Sequence, residues 1–135
     1  MTEQCEDLEA QLDELFRELD EIAALAKLRK EHTYVEDMIK LLLPRRNGMR
    51  RLHVIDDLEK QRQELGLPIP EKFEQTVQSA YNQNCIDSAV FQRRLRRHPD
   101  LVAPFHSPGG KGSGKWAVNP EQARDWLKRR KRDLQ

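Results

Sequence analysis

The sequence predicts a mainly α-helical protein with a small β-hairpin, preceded by a coiled-coil helix, and three observations lead there. Apolar residues recur at three- and four-residue steps through most of the chain, the period of helices that pack by one face. One stretch around a glycine-rich loop reads instead as two paired strands. The first 31 residues carry a heptad-like apolar seam, which sets them apart as an arm.

At 135 residues the chain has room for one compact domain plus an appendage. The expected division is an arm over 1–31 and a body over 32–135. Hydrophobic residues make up 37% and charged residues 35%, a lean, charge-rich composition that fits an elongated solvated helix beside a small core. The net charge of +1 conceals an asymmetry. Residues 1–31 hold ten acids and four bases, residues 32–66 six and seven, and residues 67–135 seven and thirteen, giving −6, +1 and +6. A basic body suits a polyanion, and an acidic arm suits a protein partner. Cys5 and Cys85 form no CxxC, so neither a disulfide framework nor a zinc site is expected, and a reducing cytoplasm fits best. No apolar run approaches the roughly 20 residues of a membrane span, and the acidic N-terminus does not resemble a leader.

In the arm, Cys5, Leu8, Leu12, Leu15, Leu19, Ile22 and Ala26 alternate steps of three and four. Leu8, Leu12, Leu15, Leu19 and Ile22 are the candidate oligomerisation residues. Glu6, Asp7, Glu9, Asp13, Glu14, Glu18, Asp20 and Glu21 would crowd two parallel copies, so an antiparallel pair or a basic partner suits the seam better. Phe16 and Leu25 widen the stripe, which equally fits a helix folded back on its own domain.

His32 and Thr33 open a second helix whose apolar face is Tyr34, Val35, Met38, Ile39, Leu41, Leu42 and Leu43, stopped by Pro44. An Asn47-Gly48 turn follows, flanked by Arg45, Arg46, Arg50 and Arg51, which have no acids close by in sequence and suit phosphate. Leu52, His53 and Val54 read as a short strand, and Ile55, Leu58, Arg62 and Leu65 as a helix ending at Gly66. Pro70 starts the next helix, with Phe73, Val77, Ala80 and Tyr81 inward. Its other faces carry Lys72, Gln75, Gln78, Ser79, Asn82 and Gln83, which can hydrogen-bond base edges and phosphates or simply be solvated. Asp87 or Ser88 caps a shorter helix with Val90, Phe91 and Leu95 inward and Arg93, Arg94, Arg96 and Arg97 outward, ended by Pro99, and these four arginines, clustered on one helix, are expected to contact DNA phosphates. Leu101–Phe105 and Lys115–Val118 read as the hairpin strands, around a glycine-rich loop with Lys111 within it and Lys115 at its edge, both expected to contact DNA. Pro120 opens a closing helix with Ala123, Trp126 and Leu127 inward and a basic tail from Lys128 to Arg132.

From Thr33 the expected order is helix, short strand, helix, turn, helix and β-hairpin with a basic loop, which is winged helix-turn-helix order. The stretches Arg51-Leu-His-Val-Ile-Asp-Asp-Leu58, Pro70 to Tyr81, Asp100-Leu-Val-Ala-Pro-Phe105 and Gly112-Ser-Gly-Lys-Trp-Ala-Val118 resemble winged helix domains of bacterial regulators and of restriction endonucleases, over residues 33–118. The resemblance implies that the helix from Pro70 to Asn82 is the recognition helix and the loop from Ser107 to Lys115 the wing. The arginine-rich helix near Ser88–Arg97 is an insertion relative to that pattern. No catalytic module accompanies the domain, so endonuclease activity does not carry over.

Gly109-Gly-Lys-Gly-Ser-Gly-Lys115 nearly spells a phosphate-binding P-loop, yet Trp116 stands where the magnesium-holding hydroxyl residue belongs, and a strand follows where a helix should start. His32, His53, His98 and His106 lack the spacing of a metal or general-base site. No cofactor, no metal and no enzymatic activity are therefore expected. The expected function is non-enzymatic binding of double-stranded DNA, foremost as a transcriptional regulator that forms a homo-oligomer through its N-terminal helix. A phage-type DNA-packaging role like that of small terminase subunits, a recombination accessory role and a protein-binding adaptor are the alternatives.

Overall fold

A computed structural model describes the backbone of residues 2–28, 34–110 and 112–134, and the side chains of residues 9–22, 34–110 and 112–133. The chain forms α1 (Thr2–Leu28), α2 (Tyr34–Leu42), β1 (Met49–Arg50), α3 (Arg51–Leu65), α4 (Phe73–Asn82), α5 (Ala89–Arg97), β2 (Phe105–His106), β3 (Lys115–Val118) and α6 (Pro120–Leu134). It is mainly helical, with a small antiparallel sheet in the order β1-β3-β2.

The hairpin is thus widened by a third strand, in a different place from the expected one. Leu52, His53 and Val54 lie inside α3, because Val54, Ile55 and Leu58 are buried at helical spacing. Met49 and Arg50 form the strand, opposite Trp116 and Lys115. Gly48 bends the chain into it at φ +78, a left-handed conformation that costs glycine little. β2 is shorter than the expected Leu101–Phe105. Pro104 has no N–H for a ladder, and its carbonyl instead accepts from Asn119 N at 2.8 Å.

The helix ends follow local chemistry. Gly66 closes α3 at φ 68, its N–H reaching the carbonyls of Arg62 and Gln63. α4 begins at Phe73, not Pro70, since Lys72 is non-helical at φ −103 and ψ 46. Ser88 Oγ caps α5 by accepting from Val90 N at 3.2 Å. Asn119 Oδ1 does the same for α6, accepting from Glu121 N and Gln122 N.

One core joins all of this. Met38, Ile39 and Leu42 of α2 meet Val54 and Leu58 of α3, Val77 and Tyr81 of α4, Phe105 and Trp116 of the sheet, and Ala123 and Leu127 of α6. Leu15, Leu19 and Ile22 of α1 belong to the same core and are at most 4% exposed, with Leu12 partly buried against it. The seam that fits an interface between chains is therefore covered by this chain's own body. Leu8 lies outside the described side chains. Glu14 pairs with Arg124 at 3.8 Å, and Glu21 with Lys131. Both partners advance by seven residues, so α1 and α6 run parallel, acidic face against basic. The Glu21 hydrogen bond raises the Lys131 pKa above its usual value.

Two acids of α2 are buried with partners. Glu36 accepts from Arg130 Nε of α6 at 2.8 Å. Asp37 lies 3.9 Å from Arg62 of α3, whose guanidinium sits 4.2 Å above the Tyr34 ring. Among the described residues no helix is long and apolar enough to cross a membrane.

Candidate nucleic-acid interface

The sheet and α4 assemble a polar surface from residues far apart in sequence. Arg50 on β1 stands opposite Lys115 on β3, both exposed. The next residue, Arg51, donates its backbone N–H to the Gly114 carbonyl at 3.0 Å, fastening the start of α3 to the loop between β2 and β3. Its guanidinium reaches α4, where Nη1 donates to Glu74 Oε1 and Gln78 Oε1, each at 2.9 Å. Arg51 is thus paired with an acid 23 residues away, which the absence of acids near it in sequence does not reveal.

Gln75 and Ser79 are exposed on α4 and Lys72 just before it, while Gln78 and Asn82 are half-buried. Ser79 Oγ accepts from Gln83 Nε2 at 3.2 Å, and the Lys72 carbonyl takes the Thr76 hydroxyl. Gln78 and Asn82 also line a groove of about 440 Å3 whose other walls are Arg51, Lys115 and Gly114 of the sheet side and Ser88 to Val90 at the start of α5. A shallower groove joins Gln75, Gln78, Ser79 and Asn82 to Val90. The amide-bearing face of α4 therefore lies between the β2–β3 loop and α5.

That loop is anchored at both ends. The Tyr81 hydroxyl donates to the His106 carbonyl at 2.9 Å and lies 3.2 Å from Ser107 Oγ. Ser107 N donates to Asp87 Oδ2 at 2.8 Å. Burial above all, with the Cys85 contact adding to it, pushes the Tyr81 phenol far above its ordinary value despite the opposing Ser107 bond, so Tyr81 stays a neutral donor. Between the anchors, Gly109, Gly110, Gly112 and Gly114 all have positive φ, which adapts this stretch to a close approach. Lys111 lies outside the described residues.

The remaining arginines are dispersed. Arg45 is exposed at the end of α2, its guanidinium donating to the Leu41 carbonyl at 2.6 Å, with Arg46 exposed beside it. Arg93, Arg96 and Arg97 are exposed on α5. Arg94, expected with them, turns inward and donates to the Gln83 carbonyl at 2.6 Å. There it joins Arg129 and Arg132 of α6, which the sequence groups only as part of a basic tail. Among the described residues no cluster of His, Cys, Asp and Glu could hold a metal. Gly114-Lys115 leads into strand β3, so the P-loop-like sequence lacks the helix start a nucleotide phosphate would need.

Comparison with protein-family models, curated proteins and solved structures returns no match to this chain.

Proposed function

We propose that this protein binds double-stranded DNA without catalysing a reaction on it, as a sequence-reading factor of the transcription-regulator kind. In this reading α4 is the recognition helix and the β2–β3 loop the wing of a winged helix-turn-helix domain. The observation that carries it is the Arg51 bridge. Its backbone holds the wing base at Gly114 and its guanidinium holds Gln78, so the cations Arg50 and Lys115 and the amides of α4 share one surface. The order α2, β1, α3, α4, β2, β3, interrupted only by α5 between α4 and β2, and the sheet order β1-β3-β2 support the same reading.

Ten residues of α4 span about 15 Å, a length that lies readily in the major groove. There the carboxamides of Gln75, Gln78 and Asn82 suit the donor and acceptor pair on adenine. Arg50, Lys115 and Lys72 suit flanking phosphates, with affinity drawn from the counterions they release.

The test is selection of the purified protein on a random-sequence duplex pool at two salt concentrations, followed by sequencing of the retained DNA. A recovered motif whose binding weakens with Gln78→Ala or Asn82→Ala is the expected result. Failure to retain duplex DNA better than heparin overturns the reading and favours an adaptor that meets acidic protein.

A further inference from the structure

A cleft of about 600 Å3 lies between α5 and α6. Arg94, Arg129, Arg130 and Arg132 line it, beside Trp126 and the acids Asp100 and Asp133. Arg94, Arg129 and Arg132 outnumber the two acids, a local excess of positive charge. Arg94 and Arg129 are aimed by backbone carbonyls, those of Gln83 and Asp100, which orient a guanidinium without neutralising it. Arg130 is engaged by Glu36. Outside the cleft the same helix, α5, exposes Arg93, Arg96 and Arg97.

Like charges collected from two helices are unfavourable unless an anion completes them, and a guanidinium fork matches a phosphate's oxygens in geometry as well as charge. We infer that the α5–α6 cleft and its arginine rim form a second phosphate-contacting surface. It takes the sugar-phosphate backbone of the duplex that flanks the stretch read by α4 and the wing. The inference rests on the DNA-binding reading and adds to it a site outside α4, the sheet and the wing.

α5 itself connects the two surfaces. Its first residues, Ala89 and Val90, line the groove beside α4 and the wing, while Arg94 lines the cleft. Nine residues make α5 about 13 Å long, roughly four base pairs of duplex at about 3.4 Å each. The inserted helix thus lengthens the footprint on one side by contacts that read no bases.

The test uses the full chain and fluorescent duplexes of about 12 and about 24 base pairs with the same central sequence, titrated across a salt series. The wild-type chain should show a salt slope steeper by about three units on the longer duplex. The triple substitution Arg93→Gln, Arg97→Gln, Arg132→Gln touches exposed side chains only. It should remove that difference, weaken binding to the longer duplex about tenfold and leave the shorter one within about twofold. Lys115→Gln, at the wing base, should weaken both lengths alike. A triple variant that loses equally on both duplexes, or on neither, overturns the second surface while leaving the α4 reading intact. If the wild-type chain holds neither duplex, the DNA reading itself falls and this surface with it.

Discussion

The rings of Tyr81 and Trp116 lie stacked, their centroids 4.0 Å apart and their planes within 10°, so that α4 rests directly on the central strand of the sheet. Phe105 stacks on the Tyr81 ring at 5.2 Å, which ties β2 into the same pile. The angle between the proposed recognition helix and the wing is therefore set by aromatic packing. Trp116→Ala should cost about 3 to 5 kcal/mol of stability, measured by urea unfolding, whereas Trp116→Phe should cost much less. Equal loss for both would mean that the stack does not bear on the fold.

A β-carbon on Gly48 would stand 2.5 Å from the Trp116 carbonyl oxygen, and the residue has φ +78. Gly66 has φ +68 but open space around it. Gly48→Ala should therefore lower Tm distinctly more than Gly66→Ala, which carries only the left-handed conformational cost of about 1 kcal/mol. Thermal melts of the two variants check the order.

Leu15, Leu19 and Ile22 fill the same core as Leu127 and Ala123. Leu19→Ala should destabilise the protein by about 2 to 5 kcal/mol. The unfolding midpoint should also be independent of protein concentration over a hundredfold range, because the seam is buried within one chain. A midpoint that climbs with concentration would return α1 to a role between copies.

Tyr81 is held protonated in the fold, with its pKa raised above the ordinary 10.0. The native state thus keeps a proton that the unfolded chain releases, so this contribution is fully present below pH 10 and is lost as pH rises above it. In a Tyr34→Phe background Tyr81 is the single tyrosine, since the sequence has two. Its phenolate absorbance should then appear only together with alkaline unfolding, and a separate earlier titration would contradict the burial.

Where a local signal decides a boundary, the sequence makes it legible: Gly66 after α3, Ser88 before α5 and the apolar stripe Phe73, Val77, Tyr81 are all readable as residues. β1 is not, because two residues carry no periodicity and Met49 and Arg50 become a strand only through their register with Trp116 and Lys115. The fate of α1 is ambiguous for a related reason. A heptad seam fits a second copy or the chain's own body equally well, and the choice rests on the cations and small apolar residues of α6. At the candidate site the types of residue are legible and their grouping is not. Arg51 meets Glu74 and Gln78, and Arg94 leaves its neighbours for Arg129, through packing that no spacing encodes.

The parallel α1–α6 pair also bears on how the chain is made. Lys131 and Glu21 stand 110 residues apart, so a ribosome adding about 5 to 20 residues per second leaves Leu15, Leu19 and Ile22 without their cover for roughly 5 to 20 s. During that interval a bare leucine seam invites association with other nascent chains. Glu14 and Glu21, later the pairing partners of Arg124 and Lys131, lie alongside it and act meanwhile as charged gatekeepers against aggregation. The same carboxylates thus guard the first helix before α6 exists and register it once α6 arrives.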